Sequence, residues 1–462
     1  MSAAPAQPRS LLRGRWIDDW RPEDESFWRS TGKRVANRNL WFSVLSEHIG
    51  FSIWSMWSVL VLFMPEATYH IDTAGKFFLV SVPTLVGAVL RLPYTMAVAV
   101  FGGRNWTIIS AALLLVPTVL AAFVLQPGTS YTTFIIVAIF AGVGGGNFAS
   151  SMTNINAFYP EKQKGAALGI NAGGGNLGVA VVQLIGLLII ATAGTGAPRI
   201  LLGIYIPLIV VATVCAALFM DNLSSVRNDT GALKEATRDA QTWILSFLYI
   251  GTFGSFIGYS FAFGLVLQTQ FGRTPLQAAA VTFIGPLLGS LIRPVGGWLS
   301  DRIGGTKVTF WNFVAMAAAS LVCIGASAIE SLTIFTIGFV LLFVTSGIGN
   351  GSVYKMIPAV FRTKALAATE ERGLDQEAAL LWARRISGAV IGIAGAIGAF
   401  GGLLLNLAFR SSFQATGSGT PAFWSFVAFY AVCFAVTYAV YLRSGTAATD
   451  PRTGTRLSYA QV

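Results

Sequence analysis

Two arginines lie inside segments that are otherwise apolar. Arg91 falls within residues 77–98 and Arg293 within residues 276–299, each about two helical turns from one end of its segment. A charge inside a membrane is costly, so it normally faces a partner or a cavity. Glu47 is the acid that clearly lies within an apolar segment. Two arginines and one acid leave positive charge unbalanced. A bound anion would balance that charge, and a structural ion pair is the alternative.

Arginine suits a small planar oxyanion because its guanidinium can donate two parallel hydrogen bonds and stays charged at any working pH. Asn147, Asn176 and Tyr249 could donate further hydrogen bonds to such an ion. Phe148 and Phe253 could hold a flat ion between their rings. Ordinary packing is the alternative for each ring, since the chain contains 33 phenylalanines.

Two glycine-rich runs surround the asparagines. The first is Gly142–Met152, and the second, Gly169–Gly178, follows after one short basic turn. Glycine weakens a helix by about 1 kcal/mol relative to alanine, but it lets a helix backbone or a ligand approach closely. Helix packing is the simpler explanation for any single glycine, whereas an asparagine buried in a membrane needs a partner.

The elements that position these residues are membrane helices. The chain has 462 residues, of which 54% are hydrophobic and 11% charged, against about 25% charged in soluble domains. A bilayer crossing takes roughly 20 apolar residues. We predict twelve crossings, near 39–64, 77–98, 106–126, 132–158, 166–193, 200–220, 243–268, 276–299, 308–328, 332–360, 385–408 and 422–442.

Charge in the loops predicts the orientation. The net charge of +11 resides in loops and tails beside apolar spans, which is the positive-inside pattern and not a nucleic-acid site. We therefore expect both tails, 1–38 and 443–462, and the long charged loops 221–242 and 362–384 to be cytoplasmic. No cleavable signal peptide is visible. The three cysteines lie in apolar segments, which argues against disulfides.

An internal repeat divides the chain into halves. Gly87–Arg91 resembles Gly289–Arg293, and Gly102-Gly103 resembles Gly304-Gly305, both at an offset of 202 positions. Gly142–Met152 has a weaker echo in Gly347–Met356. Two six-helix repeats with a site between them are typical of secondary transporters. We predict an all-α membrane protein with pseudo-symmetric bundles at 39–220 and 243–442, joined by a linker at 221–242.

The loop after the eighth span, Gly296–Lys307, resembles the Gly-x-x-x-Asp-Arg-x-Gly-x-x-Lys signature of the major facilitator superfamily. Its counterpart after the second span, at residues 101–106, lacks the acid. In that superfamily these loops latch the cytoplasmic side. The resemblance therefore implies that Asp301 and Arg302 are gate residues and not substrate ligands.

A second resemblance is more specific. The run that begins at Asn147 and the run from Pro160 to Gly178 resemble the nitrate signature of the nitrate/nitrite porter family, the NarK-type branch of the same superfamily. The resemblance covers nearly the whole chain. It implies nitrate or nitrite bound between Arg91 and Arg293, aromatic rings above and below the ion at Phe148 and Phe253, and polar contacts from Asn176 and Tyr249.

The coupling mechanism stays open between nitrate/proton symport and nitrate/nitrite exchange, both known in that family. Exchange is electroneutral and needs no proton carrier. Symport needs a titratable group, and the candidates are Glu47, its neighbour His48, and Lys355 in the tenth span. Lys355 is expected to be buried, and Glu47 could equally be its structural partner. A lone histidine in a helix is usually satisfied locally. We favour symport as the hypothesis.

Other classes fit less well. The chain has two histidines and no Cys/His metal spacing, so an enzyme, a metal site and a cofactor are not expected. A channel or a nitrate sensor without transport remains an alternative, as does another anion such as formate or chloride. By analogy with the superfamily, we expect a monomer in the cytoplasmic membrane.

Overall fold

Twelve apolar helices, each long enough to cross a membrane, dominate the computed structural model, as the sequence predicts. The structure describes residues 15–226, 228–372, 375–443, 446–449, 456–459 and 462. Residues 1–14 of the predicted N-terminal tail and ten of the twenty residues of the predicted C-terminal tail therefore lie outside the described residues. In chain order the helices are α1 Glu25–Phe63, α2 Thr73–Phe101, α3 Gly103–Val124, α4 Tyr131–Phe158, α5 Lys162–Ala193, α6 Arg199–Phe219, α7 Ala240–Phe271, α8 Pro275–Ile303, α9 Gly305–Ala328, α10 Leu332–Glu370, α11 Gln376–Thr416 and α12 Thr420–Leu442.

Several helices extend beyond their predicted apolar spans. Helix α1 begins at Glu25, where the side chain of Asp24 caps the backbone amides of Ser26 and Phe27 at 3.0 and 3.1 Å. The expectation of a long loop at 362–384 is wrong, because α10 and α11 continue through most of it. Hydropathy detects only the part of a helix inside the hydrocarbon, whereas capping and packing decide where the helix ends.

The internal repeat has a backbone counterpart. Gly102 and Gly304 both have positive φ angles, 88° and 93°, and each separates the second helix of a half from the third. Only glycine adopts this conformation without strain. The chain therefore turns at the same place in each half, α1–α6 and α7–α12, and Arg91 and Arg293 occupy corresponding positions on α2 and α8.

The glycine runs lie where helices approach closely. A Cβ atom on Gly145 of α4 would lie 2.7 Å from the Cα of Gly87 on α2, and Gly178 of α5 faces the backbone of His48 on α1. Gly254 of α7 meets Gly401 of α11 in the same way. Small residues at helix interfaces allow such contacts in a membrane, so packing explains most individual glycines in the runs.

Short elements cover one end of the bundle, which we call the linker side. The linker helix, Thr230–Ala236, lies between α6 and α7. Strands β1 (Trp16–Ile17) and β2 (Asn222–Leu223) pair in parallel, and β3 (Thr446–Thr449) pairs antiparallel with β4 (Arg456–Ser458). Asp221 bonds Arg38 at 2.5 Å and Asn39 at 2.9 Å, which ties the end of α6 to α1.

Replacing Gly145 by alanine should destabilise the protein by about 1–3 kcal/mol, since the added methyl meets a backbone atom that cannot move aside. The matched control is Gly173→Ala in the second run, where a Cβ meets nothing within 4 Å and alanine should stabilise the helix by up to about 1 kcal/mol. Thermal unfolding of the purified variants in detergent measures both effects. Equal stability of the two variants would contradict close packing at Gly145.

Candidate functional site

The two arginines belong to one buried group of side chains between the halves. This central cluster consists of Arg91, Phe148, Tyr249, Phe253, Arg293 and Tyr354. It draws on α2 and α4 from the first half and on α7, α8 and α10 from the second. Five of these six residues, all except Tyr354, are site residues predicted from the sequence. The fold therefore brings most of the predicted anion site together.

Arg91 bridges the two halves. Its Nη1 donates a hydrogen bond to the carbonyl oxygen of Gly395 on α11, at 2.8 Å. Its guanidinium carbon lies 4.6 Å from the ring centre of Phe148 and 5.0 Å from that of Phe253. The Nε and Nη2 atoms are buried and have no hydrogen-bond partner among the described residues. Arg91 therefore keeps two donors available in an enclosed site.

Arg293 is held within the second half. Its Nη2 donates to the hydroxyl of Tyr249 at 3.1 Å, and its guanidinium carbon lies 5.4 Å from the ring centre of Tyr354. Its Nη1 is buried without a partner in the described part of the chain. Buried donors without partners are rare in native proteins and call for an explanation, and a bound anion supplies one.

The rings between the arginines contact each other directly. Phe148 and Phe253 have ring centres 6.0 Å apart at an interplanar angle of 28°, and Tyr249 stacks on Phe253 at 5.2 Å. These distances are typical of aromatic pairs in contact, so a flat ion between the two phenylalanines would require them to separate. Phe253 lies in a π-helical segment, Ile250–Gly254, a feature frequent at functional sites.

The two predicted asparagine ligands are buried on neighbouring helices. Asn147 packs against Gly50 of α1, and Asn176 lies on α5 with 1% of its surface exposed. The amide atoms of both side chains are without partners among the residues that the structure describes. Each therefore retains its full hydrogen-bonding capacity in a buried position.

Glu47 is fully buried on α1. One carboxyl oxygen, Oε2, accepts hydrogen bonds from the hydroxyl of Ser151 and from Asn171 Nδ2, the latter at 2.6 Å. The other oxygen, Oε1, has no partner within the described ranges, and a Cβ on Gly175 would collide with it. No ion pair involves Glu47 among the described residues.

The position of Lys355 differs from the one expected from the sequence. The side chain is expected to be buried, with Glu47 as a candidate partner. Its side chain is instead 45% exposed and pairs with Asp301 at 2.8 Å, because α10 has by then reached the linker side. Arg302 stacks on Trp298 at 4.1 Å. The expectation that His48 is satisfied locally is not met, because its Nδ1 lies 3.0 Å from the carbonyl oxygen of Gly174 on α5.

A cavity of about 340 Å³ leads from the central cluster to the linker side. Its inner wall includes Arg91, Phe148 and Tyr354, and its outer wall includes Asn228, Asp229 and Arg385. At the opposite end the halves meet in apolar packing, where the ring centre of Phe77 of α2 lies 5.8 Å from that of Phe409 and 5.3 Å from that of Phe413, both on α11. The cluster is therefore accessible from one side.

Sequence reasoning misses three contributors to this site. The carbonyl of Gly395 and the side chains of Ser151 and Asn171 make contacts across helices that no spacing rule specifies. Tyr354 had a detectable signal, since it lies in the echo of the first glycine run. The described residues contain no group of three or more His, Cys, Asp and Glu side chains suited to a metal.

Comparison with known proteins identifies the class first. The family model for the Major Facilitator Superfamily matches residues 48–374. Structures of the xylose transporter XylE from E. coli, in a partially occluded inward open conformation, and of a D-xylose-proton symporter superpose with TM-scores of 0.66 at 12% and 14% identity. These alignments cover 88% and 92% of this chain and 98% and 100% of the other chains. The predicted fold of two six-helix bundles is thereby confirmed.

Sequence relatives then identify the branch. The nitrate/nitrite transporter NarU of Salmonella typhimurium is 38% identical, over 92% of this chain and 96% of that protein. The probable nitrate/nitrite antiporter NarK2 of Thermus thermophilus is 31% identical, over 94% and 98%. The chain therefore belongs to the NarK-type nitrate/nitrite porter family of the major facilitator superfamily. Membership in a family of transporters also confirms that the protein is not an enzyme.

An ion pair fastens the linker helix at the mouth of the cavity. Arg385 of α11 bonds Asp229, with its Nη2 2.8 Å from Oδ1, and also Glu235 at 3.1 Å. The hydrogen bond from Arg385, together with the backbone amide of Ala232, lowers the pKa of Asp229 to about 2. A carboxyl group whose pKa is lowered on folding stabilises the folded state at pH values above its ordinary pKa near 4. That stabilisation is lost as the pH falls through about 2.

Asp229→Asn should therefore lower the melting temperature by a small amount that is constant between pH 5 and 8, because the carboxyl group stays ionised throughout that range. The difference from the unsubstituted protein should shrink only in strong acid. Melting curves at several pH values measure it. A difference that changes between pH 5 and 8 would show that another group controls the docking of the linker helix.

Proposed function

We propose that this protein carries nitrate and nitrite across the cytoplasmic membrane by alternating access, with the anion held between Arg91 and Arg293. The observation that carries the proposal is the set of buried, unpartnered guanidinium donors in the central cluster, Nε and Nη2 of Arg91 and Nη1 of Arg293, since Arg91 also lines the inner end of the cavity. Charge-assisted hydrogen bonds to a planar oxyanion would satisfy these donors. The names of the relatives support the choice of anion.

The bundles 39–220 and 243–442 would move against each other about this site. Basic residues concentrate in the N-terminal segment and the linker, so the linker side is assigned to the cytoplasm by the positive-inside rule. The cavity then opens inward, and the contacts of Phe77 with Phe409 and Phe413 form the outer gate. The bond between Arg91 and Gly395 couples the anion site to α11, the helix that carries part of this gate.

Arg91→Lys and Arg293→Lys should each reduce nitrate uptake into proteoliposomes at least about tenfold. Lysine keeps the charge but loses the planar fork, and one hydrogen bond to a charged group contributes about 1.5–3 kcal/mol. The matched control is Arg199→Lys, since Arg199 bonds Gln126 outside the cavity. Chloride, a spherical ion, should compete poorly. Unchanged uptake in both site variants, or none in the folded unsubstituted protein, would refute the anion site.

For coupling we favour symport of one proton with each nitrate, with Glu47 as the proton site. The hydroxyl of Ser151 lies within bonding distance of Glu47 and 3.0 Å from the carbonyl oxygen of Phe148. A hydroxyl carries a single proton, so the two acceptors compete for it when Glu47 is ionised. When Glu47 is protonated, its own O–H can donate to Ser151 Oγ, and the Ser151 hydroxyl is then free to donate to the Phe148 carbonyl oxygen. Protonation of Glu47 would thereby change the hydrogen bonding of the α4 turn that carries Phe148.

The proposed stoichiometry of one proton for each nitrate rests on a single proton site. Since Lys355 is exposed and paired with Asp301, Glu47 is the proton site with the clearest support. Moving one charge across the membrane costs about 2.3 kcal/mol per 100 mV. One proton with one nitrate is electroneutral, so such transport responds to the proton gradient and not to the voltage.

A second candidate is nitrate/nitrite exchange, favoured by the relative named as a probable antiporter.

Glu47→Gln should abolish nitrate uptake driven by an inward proton gradient while sparing exchange against internal nitrite. Glutamine keeps the shape and an acceptor oxygen but cannot titrate. The assay uses proteoliposomes with and without internal nitrite, at clamped membrane potential, and Glu66→Gln on the surface serves as the control. Proton-driven uptake that persists in Glu47→Gln would remove Glu47 from the mechanism. Uptake by the unsubstituted protein only with internal nitrite would establish exchange.

A further inference from the structure

Tyr354 of α10 is the member of the central cluster whose hydroxyl has no assigned role. Its side chain lines the cavity together with Arg91 and Phe148. The hydroxyl oxygen is buried, and no hydrogen-bond partner for it occurs in the ranges that the structure describes. A buried phenol normally finds a partner. The hydroxyl therefore lies in the cavity wall with an unused donor.

Two groups that lie against the Tyr354 ring bring hydrogen-bond donors to its vicinity. The guanidinium of Arg293 lies over the Tyr354 ring at 5.4 Å, and the ring of Tyr249 is 5.7 Å away at a tilt of 44°. Arg293 Nη1 is unpartnered in the described chain, and Tyr249 already accepts a hydrogen bond from Nη2 of the same arginine. Neighbouring donors that lack an acceptor are satisfied together by one anion.

We propose that the Tyr354 hydroxyl is a further ligand of the transported anion and favours nitrate over nitrite. The inference rests on the proposed function of the central cluster. Nitrate presents three oxygens at the corners of a triangle, whereas nitrite presents two. The two arginine forks approach from opposite halves and can each bond one or two oxygens, so the hydroxyl serves the oxygen that only nitrate has.

This role separates Tyr354 of α10 from Tyr94 of α2, another tyrosine with an unpartnered hydroxyl. Tyr94 is also buried, and its hydroxyl likewise has no partner in the described structure. Its ring packs edge-on against Trp106 at 4.9 Å, and it does not line the cavity. Tyr94→Phe therefore removes the same chemical group, a buried and unpartnered hydroxyl, from a position outside the cavity wall.

The test measures binding of nitrate and of nitrite to purified carrier through the rise in melting temperature with ligand concentration. Tyr354→Phe should weaken nitrate binding about tenfold and nitrite binding less than about threefold. Without ligand its melting temperature should equal or exceed that of the unsubstituted protein, since removing an unpartnered hydroxyl leaves no bond broken. Tyr94→Phe should leave binding of both anions unchanged.

Three results would overturn the inference. Unchanged nitrate binding in Tyr354→Phe excludes the hydroxyl as a ligand. Equal weakening of nitrate and nitrite excludes it as the discriminating group. A lower melting temperature without ligand assigns it a structural role. If the unsubstituted protein responds to nitrate and Arg91→Lys does not, these failures leave the proposed function standing. If the unsubstituted protein responds to neither anion, the proposed function falls together with the inference.

Discussion

Two guanidinium groups inside an apolar protein are the constraint on which the rest of this structure depends. Arginine stays charged at any working pH, so Arg91 and Arg293 cannot avoid the cost of burial by losing a proton. The protein compensates part of that cost with a backbone carbonyl, a tyrosine hydroxyl and aromatic ring faces. These partners are neutral, so the positive charge is distributed but not cancelled. In the proposed function, a transported anion would complete the compensation.

The same constraint explains why the site lies between the halves. Arg91 reaches across to Gly395 of α11 and to Phe253 of α7, whereas Arg293 is held by Tyr249 of its own half. An anion that satisfies both arginines therefore contacts both bundles at once. Within each half, glycines let α4, α5 and α11 approach neighbouring helices closely enough for backbone atoms to meet. In the proposed transport cycle, the two halves would move relative to each other about this site.

Glu47 shows how a third ionisable group can be accommodated in the same apolar protein as the two arginines. Its carboxyl group is enclosed by Ser151, Asn171 and Gly175, without a cation at bonding distance among the described residues. Ser151 follows Phe148 by one helical turn, so the carboxyl group and the anion site share a short stretch of α4. This proximity offers a physical route by which a proton and an anion can influence each other, and it requires no long chain of contacts.

Hydropathy was sufficient to locate twelve membrane helices, and the offset of 202 positions was sufficient to pair Arg91 with Arg293, because both properties are local to the chain or repeated along it. The residue types also indicated an anion, since buried arginines without acids leave few other partners. The helix ends at Glu25 and Glu370, the exposure of Lys355 and the roles of Gly395, Asn171 and Tyr354 were decided by the fold alone. Each of these depends on which helices meet and how far each extends beyond the apolar layer. Such contacts join residues distant in the chain, so neither composition nor spacing encodes them.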